Sequence, residues 1–257
     1  MNKDFWQLRT AGRNYYDCFR LATKVGNRMK ALIRDGYDVY QLEGQVKLAK
    51  GGKDASAAEL VGLYKELAPE AIQKFQGATP GLGELWIAML VGVVGDFKSY
   101  VEAWWEEDPT GKEKRVLVTG DTKTAGVREI WTYCGHGEIR KHKAGMSQAE
   151  ALACGNPLAK MVVHIIAKTA LRLNGVPDKN GKERAMTPYY PKYLEWKERA
   201  AAAHADWKPG RIDNHAIRLV GKAILKDIWR VQHGFEPAYG ARTPWAPRTL
   251  DEQPVSA

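Results

Sequence analysis

A glycine-rich turn at residues 79–83 has the composition of an anion-binding site. Its residues are Thr79, Pro80, Gly81, Leu82 and Gly83. Pro80 restricts its own φ angle, whereas the two glycines allow backbone angles that other residues avoid. The apolar run that follows, from Leu85 to Val94, predicts a buried helix. Because the N–H groups and the dipole at a helix N-terminus favour negative charge, Thr79, Gly81 and Gly83 are predicted to contact a nucleic-acid backbone. The alternative is a turn between two helices that binds no ligand.

Two predicted helices each carry a row of basic side chains at four-residue spacing. The first row is Lys160, His164, Lys168 and Arg172, and the second is Arg218, Lys222, Lys226 and Arg230. Like charges four residues apart destabilise an isolated helix by about 0.2–0.5 kcal/mol per pair. Phosphate groups neutralise such rows and release their own counterions. The rows therefore predict nucleic-acid binding, and the alternatives are a solvated surface or pairing with acids such as Glu195 and Glu198.

A third basic segment, between residues 136 and 145, contributes Arg140, Lys141 and Lys143 to the predicted contacts. The chain has 39 Lys and Arg against 30 Asp and Glu, a net charge of +9. Residues 111–233 hold 23 of these bases and only 12 of the acids, so the excess lies in this region. A concentrated basic region predicts a polyanionic partner. We expect duplex DNA, with structured RNA as the alternative.

Cysteine and histidine spacing indicates neither a disulfide framework nor a metal site. Cys18, Cys134 and Cys154 form an odd, widely spaced set, which is typical of a reducing cytosol. His136 and His142 have no Cys pair at ligand spacing, so no metal or cofactor is predicted. The first ten residues lack the apolar centre of a signal peptide, and the apolar run described above is too short to span a bilayer. We therefore expect a cytoplasmic protein with no membrane partner.

Hydrophobic spacing predicts a mainly α-helical fold that begins with a long helix over residues 4–34. Apolar residues recur there at alternating intervals of three and four, at Tyr15, Cys18, Ala22, Val25, Met29 and Leu32. A second helix is predicted from Ser56 to Phe75, with Ser56 as its N-cap and Glu59 as the capping-box partner. Gly44, Gly51 and Gly52 are predicted breaks before it. The two helices predict an antiparallel hairpin, and a dimerising coiled coil is the alternative.

Later helices divide the chain into three predicted parts. Asn156 and Pro157 suit the N-cap and first position of one helix, and further helices are expected at residues 189–203 and 211–231. We predict a helical hairpin or coiled coil over residues 1–76 and a helical DNA-binding domain with a helix-hairpin-helix-like turn over residues 77–233. A Pro-rich tail is predicted over residues 234–257.

Six segments follow one another in an order that is characteristic of one family. They are Pro80-Gly81-Leu82-Gly83, the apolar helix to Val94-Gly95-Asp96-Phe97, Trp131-Thr132-Tyr133-Cys134-Gly135, Gly155-Asn156-Pro157-Leu158-Ala159-Lys160, and the helices at 189–196 and 215–229. This series resembles the C-terminal transposase domain of the bridge-RNA-guided insertion-sequence transposases. The chain is most similar to short stand-alone transposase-like proteins that carry a helical hairpin and this domain. The resemblance implies DNA binding in transposition or recombination.

The chain departs from that family at both catalytic sites. The family's RuvC-like nuclease domain, with its acidic metal-binding set, has no counterpart in this sequence. The family also places a nucleophilic serine shortly after the tyrosine–glycine step, and the nearest hydroxyl here is Ser147. Ser147 is the candidate catalytic residue that the resemblance implies, and the alternative is a helix N-cap paired with Glu150.

Three hypotheses follow from the sequence. The first is a DNA-binding protein related to insertion-sequence transposases that lacks its own nuclease centre and depends on a separate catalytic subunit. The second is a minimal serine transposase or recombinase that uses Ser147, with His142, Lys143 and Arg140 as activating neighbours. The third is an RNA-binding or assembly module that forms a homodimer or higher oligomer through its N-terminal helices.

Overall fold

The computed structural model describes residues 3–106, 116–136, 155–172, 174, 181 and 186–240, and the predicted mainly α-helical fold is confirmed. The helices of this part are α1 (Lys3–Arg34), α2 (Tyr40–Leu67), α3 (Glu70–Ala78), α4 (Glu84–Val94), α5 (Val127–Tyr133), α6 (Pro157–Arg172), α7 (Tyr189–Ala203) and α8 (Pro209–Gln232). Between α4 and α5, strands β1 (Ser99–Glu106) and β2 (Val116–Thr124) pair antiparallel. Their register runs from Ser99 opposite Thr124 to Glu106 opposite Val116, with an irregularity between Val101 and Ala103.

The long first helix is confirmed, and it packs along α2 after a short connection at residues 35–39. Gly36 ends α1 with a φ of 81°, in the left-handed region that favours glycine. The N–H of Gly36 donates to the carbonyl of Ile33 at 3.1 Å, and that of Tyr37 donates to Leu32 at 2.9 Å. This is the Schellman pattern, which satisfies carbonyls that the helix end leaves open.

The predicted start of the second helix at Ser56 is wrong. Helix α2 begins sixteen residues earlier, at Tyr40, and includes the glycines predicted as breaks. Ser56 lies inside the helix, where its hydroxyl donates to the carbonyl of Gly52 at 2.9 Å. The weak helix propensity of glycine is overridden because α1 packs along α2. The break falls instead at Pro69, which stands between α2 and α3.

Helix α4 lies at the centre of the core, in contact with α1, α2, α3 and α6. Its residues from Ile87 to Val93 are all buried. The backbones of α1 and α4 meet at Gly92, where an added Cβ would lie 2.6 Å from the carbonyl oxygen of Leu8. One cluster of buried side chains extends from Leu8 to Val231, across the predicted boundary at residue 76.

Helix α8 contacts α3, α5, α6 and α7, and it carries a fully buried carboxylate at Asp227. The Tyr189 hydroxyl of α7 donates to this carboxylate at 2.9 Å. The N–H groups of Ala238 and Gly240 donate to it at 2.6 and 2.7 Å, and that of Tyr239 at 3.1 Å. Burial nevertheless raises the pKa of Asp227, although these bonds favour its charged form. The first residues of the predicted tail are thereby fixed to α8.

The close approach at Gly92 predicts opposite effects for two glycine-to-alanine substitutions. Gly92→Ala is expected to lower the free energy of unfolding by about 2 kcal/mol, because its methyl group meets the backbone of α1. Gly62→Ala, which faces open space on α2, is expected to raise it by about 0.5–1 kcal/mol. Urea unfolding followed by circular dichroism measures both. Equal stability of the two variants would contradict the described contact between α1 and α4.

The Asp227 carboxylate predicts a large loss of stability when its acceptor capacity is removed. Asp227→Asn is expected to lower the free energy of unfolding by about 2–4 kcal/mol, because buried donors lose their acceptor. Asp54→Asn is the control, since Asp54 is a largely exposed carboxylate that pairs with its neighbour Lys53. Its change should stay within about 0.5 kcal/mol. A comparable change in both variants would show that Asp227 does not fix the chain end to α8.

Candidate nucleic-acid interface

The chain leaves α5 through a Schellman motif that places His136 against α8. Gly135 has a φ of 65°, and its N–H donates to the carbonyl of Thr132 at 3.0 Å. The N–H of His136 donates to the carbonyl of Trp131 at 2.8 Å. The histidine ring packs where α8 has no side chain, since an added Cβ at Gly221 would lie 3.2 Å from the ring and 2.8 Å from Val163. Gly221 is therefore the position that lets α6 and His136 approach α8 together.

Three basic side chains, one from α6 and two from α8, contact the same short segment at residues 131–136. Lys160 of α6 packs its aliphatic stem over Gly135, where an added Cβ would lie 2.8 Å from Cδ. The Lys222 ammonium of α8 lies 4.1 Å from the centre of the Trp131 ring, a cation–π contact. The Arg218 guanidinium donates to the carbonyl of His136 at 3.3 Å. We call Lys160, His164, Arg218 and Lys222, grouped around His136, the His136 cluster.

The His136 ring is 4% exposed, and neither of its nitrogens has a hydrogen-bond partner in the described part of the chain. Burial, and after it the positive charges of Arg218, Lys160, Lys222 and His164, together lower its pKa from 6.5 to about 4. Among the described residues no acidic group opposes this shift. His136 is therefore neutral at physiological pH, and its surroundings are positive.

Only some residues of each predicted basic row belong to the His136 cluster. On α6, Lys160, Lys168 and Arg172 are exposed and His164 is half-buried beside Lys168. On α8, Arg218 and Lys222 join the cluster. The remaining members of that row contact the chain end, because Lys226 lies 5.9 Å from the Tyr239 ring and Arg230 donates to the carbonyl of Glu236 at 2.5 Å. The structure thus brings together four of the eight predicted residues.

Pairing with Glu195, an alternative explanation for the rows, is not what the structure contains. Glu195 accepts from Lys192 at 2.7 Å and from Arg199 at 2.6 Å, both on its own helix α7. These bonds lower the pKa of the Glu195 carboxyl. Glu195 is therefore occupied within α7 by bases that do not belong to either row.

The glycine turn joins α3 to α4 and packs against the C-terminal end of α6. Gly81 has a φ of 87°, and an added Cβ there would lie 3.0 Å from the carbonyl oxygen of Ala170. Thr79 is buried, and its hydroxyl donates to the carbonyl of Phe75 at 2.7 Å. Glu84 places a carboxylate in the first turn of α4 and pairs with Lys65 at 3.3 Å. These contacts account for the glycine and threonine in structural terms, and phosphate binding at Thr79, Gly81 and Gly83 stays a prediction.

Arg140, Lys141, Lys143 and Ser147 lie outside the described residues, but both ends of their segment are fixed beside the cluster. The N–H of Asn156 donates to the carbonyl of Tyr133 at 2.6 Å. An added Cβ at Gly155 would lie 2.7 Å from the backbone nitrogen of Gly135. The predicted N-cap is confirmed, since Asn156 Oδ1 accepts from the N–H groups of Leu158 and Ala159 at 2.9 and 3.2 Å. The two residues that flank this segment, 136 and 155, therefore lie close together.

Sequence reasoning overlooked two groups near the α7–α8 connection. The ring of Trp207 stacks with His204 at 3.9 Å between centroids, and the Arg211 guanidinium lies 4.1 Å from its centre. The Tyr193 hydroxyl donates to Asp213, which also pairs with Lys197 at 3.1 Å. These bonds lower the pKa of Asp213 and outweigh its partial burial. The second group has no sequence signature, because Tyr193 and Lys197 belong to α7 and Asp213 belongs to α8. His136 did have one, since it follows a glycine at a helix end.

The described residues contain neither a metal-binding cluster nor a helix that could cross a membrane. No group of three or more His, Cys, Asp or Glu side chains there is arranged to hold a metal ion. Cys18 and Cys134 are free thiols, and burial raises the pKa of Cys134. None of the helices described in the structure has the length and apolar character needed to cross a bilayer. Comparison with models of known families, with curated proteins and with solved structures finds no match to this chain.

The lowered pKa of His136 predicts a loss of stability in acid. Below pH 6.5 the unfolded chain binds a proton at this residue, whereas the folded protein does not until about pH 4. This difference in proton binding lowers the free energy of unfolding by roughly 3 kcal/mol between pH 6.5 and pH 4. We expect His136→Leu, which keeps an apolar group of similar size, to lose less stability than the wild type on acidification. Urea unfolding at pH 7, 5.5 and 4 measures the difference, and parallel losses in both proteins would refute the assignment.

Proposed function

We propose that this protein binds nucleic acid, with duplex DNA as its preferred ligand, through the face formed by α6, α8 and residues 131–136. The observation that carries this proposal is the gathering of Lys160, Arg218 and Lys222 around one short backbone segment. Each of these cations is held by a different contact, so their proximity is built into the fold. Concentrated positive charge on one face is the electrostatic footprint expected for a phosphate backbone.

The energetic argument favours a polyanion over a simple solvated surface. Lys160, Arg218 and Lys222 place like charges around a buried neutral histidine, and an acidic partner for Lys160 is not among the described contacts. A nucleic-acid strand supplies closely spaced negative charges and releases counterions on binding. Protein acids do neutralise bases elsewhere, as Glu195 does on α7. The absence of such pairing at Lys160 supports a ligand that the protein does not itself contain.

The proposed role is in DNA transposition or recombination, as implied by the resemblance to insertion-sequence transposases. The chain contributes DNA binding in this proposal, and a separate subunit contributes strand cleavage. The adjacent positions of residues 136 and 155 favour one further candidate, a serine-type reaction at Ser147, because the intervening segment starts and ends beside the His136 cluster. Ser147→Ala distinguishes cleavage by a separate subunit from cleavage at Ser147. Strand nicking or joining that is lost in this variant would assign cleavage to this chain.

We expect salt-sensitive binding of labelled duplex DNA that weakens when cluster charges are removed. Lys160→Ala and Lys222→Ala should each reduce affinity by about threefold to tenfold and lower the slope of log K against log salt by about one. Lys74→Ala is the matched control, because Lys74 is an exposed base on α3 that pairs with Glu70 at 2.7 Å. Fluorescence anisotropy across a salt series, with single-stranded DNA and structured RNA in parallel, measures these effects.

Each outcome of that experiment has a definite meaning. Equal losses in the Lys74 control and the cluster variants would refute binding through this face. Tighter binding of structured RNA than of duplex DNA would make RNA the preferred ligand and would leave the proposed binding face unchanged. No binding of any nucleic acid would refute the proposal and favour an assembly role for the N-terminal helices.

A further inference from the structure

We propose that the His136 cluster is a site for one phosphate group, with the oxyanion held between Lys160 of α6 and Arg218 and Lys222 of α8. The inference rests on the proposed function, because the phosphate group that it assigns belongs to a nucleic-acid backbone. It goes further by naming a single site and the groups that form it. The remaining basic residues of the face then track the strand on either side of this site.

The cations of the cluster are ordered before any ligand binds. The stem of Lys160 lies over Gly135, Lys222 lies over the Trp131 ring, and Arg218 is bound to the carbonyl of His136. Immobilising a long basic side chain usually costs about 0.5–1.5 kcal/mol on binding. Since backbone and ring contacts already restrict these three side chains, an oxyanion gains their charge with a smaller entropy loss. Exposed lysines without such contacts lack this advantage.

The buried ring of His136 is the feature that a surface of solvated lysines does not have. Its two nitrogens are without partners in the described part of the chain, although the residue is 96% buried. Leaving such a polar group unsatisfied destabilises a fold by about 1–3 kcal/mol. The described neighbours that crowd the Gly221 position beside the ring include the apolar side chain of Val163, which offers no hydrogen bond to a histidine. Because the His136 ring can take up a proton, its pKa responds when an anion binds among the cations.

An oxyanion at this site reverses the electrostatic environment of the ring. Among the described residues, the charged groups that act on His136 are Lys160 and His164 from α6, and Arg218 and Lys222 from α8. All of them disfavour a proton on the ring. A backbone phosphodiester with one negative charge, or a sulfate ion with two, favours that proton, so binding raises the pKa of His136 and of the half-buried His164. Binding is therefore linked to proton uptake and becomes tighter as the pH falls.

Sulfate is the probe for the test, because it keeps its charge across the titration range in which phosphate itself ionises. The ring signals of the histidines are followed by NMR against pH, in sodium sulfate and in sodium chloride at equal ionic strength. His136→Leu assigns the His136 signals. We expect sulfate, and not chloride, to raise the pKa of His136 with a saturable dependence on concentration. His233, which lies against Trp229 at the end of α8, serves as an internal reference for general screening of charge.

A matched pair of variants decides between a site and a diffuse positive field. The double variant Lys160→Gln with Lys222→Gln keeps an uncharged side chain that extends to Cδ at each position but removes two charges, and the sulfate response of His136 should disappear. Lys74→Gln, at the ion pair on α3, should respond as the wild type does. Thermal unfolding checks that each variant is folded. An equal response to sulfate and chloride, or an unchanged response in the double variant, would overturn the inference.

The test separates this site from the proposed function. Duplex DNA binding that survives in a protein whose His136 does not respond to sulfate would keep the function and overturn the site. A sulfate-specific response in a protein that binds neither DNA nor RNA would overturn the function and support an oxyanion site. In the expected case, duplex DNA competes with sulfate for the same His136 response.

Discussion

The close approach at Gly221 is the constraint on which the C-terminal part of the protein depends. Without a side chain at this position, α8 accepts both Val163 of α6 and the ring of His136. Any larger residue would separate α6 from α8 and displace the segment that follows α5. The cations that the proposed function requires come from these two helices, so their grouping depends on this contact. Asp227, six residues along α8, then fixes α7 and the end of the described chain to the same helix.

Two kinds of electrostatic arrangement exist side by side in this protein. On α7, bases and acids alternate and neutralise one another at the surface, as Lys192 and Arg199 do with Glu195. Such exposed pairs contribute little to stability, about 0–1 kcal/mol each. At the His136 cluster, positive charge is concentrated around a neutral buried ring. The first arrangement needs no ligand, whereas the second is the one to which the proposed function assigns an external anion.

Local sequence signals predicted the helices well where the signal matched the tertiary contacts. The first helix, the N-cap at Asn156 and the basic rows on α6 and α8 all follow from residue type and spacing. The capping signal at Ser56 failed because α1 supports α2 over its whole length, and glycines that would weaken an isolated helix are tolerated there. Gly81 has the positive φ angle that the glycine turn predicted. The contact of this turn with the end of α6 could not be predicted from residue spacing.

Sequence alone determined the helical class, the excess of positive charge in residues 111–233 and the identity of the basic rows, because these depend on composition and on a period of about four residues. Tertiary structure decided which members of those rows meet. Side chains that are close in space come from α5, α6 and α8, and no periodicity relates residues on different helices. Whether His136 is a buried neutral ring or an exposed ligand likewise depends on what packs over it. That was decided by a glycine 85 positions further along the chain.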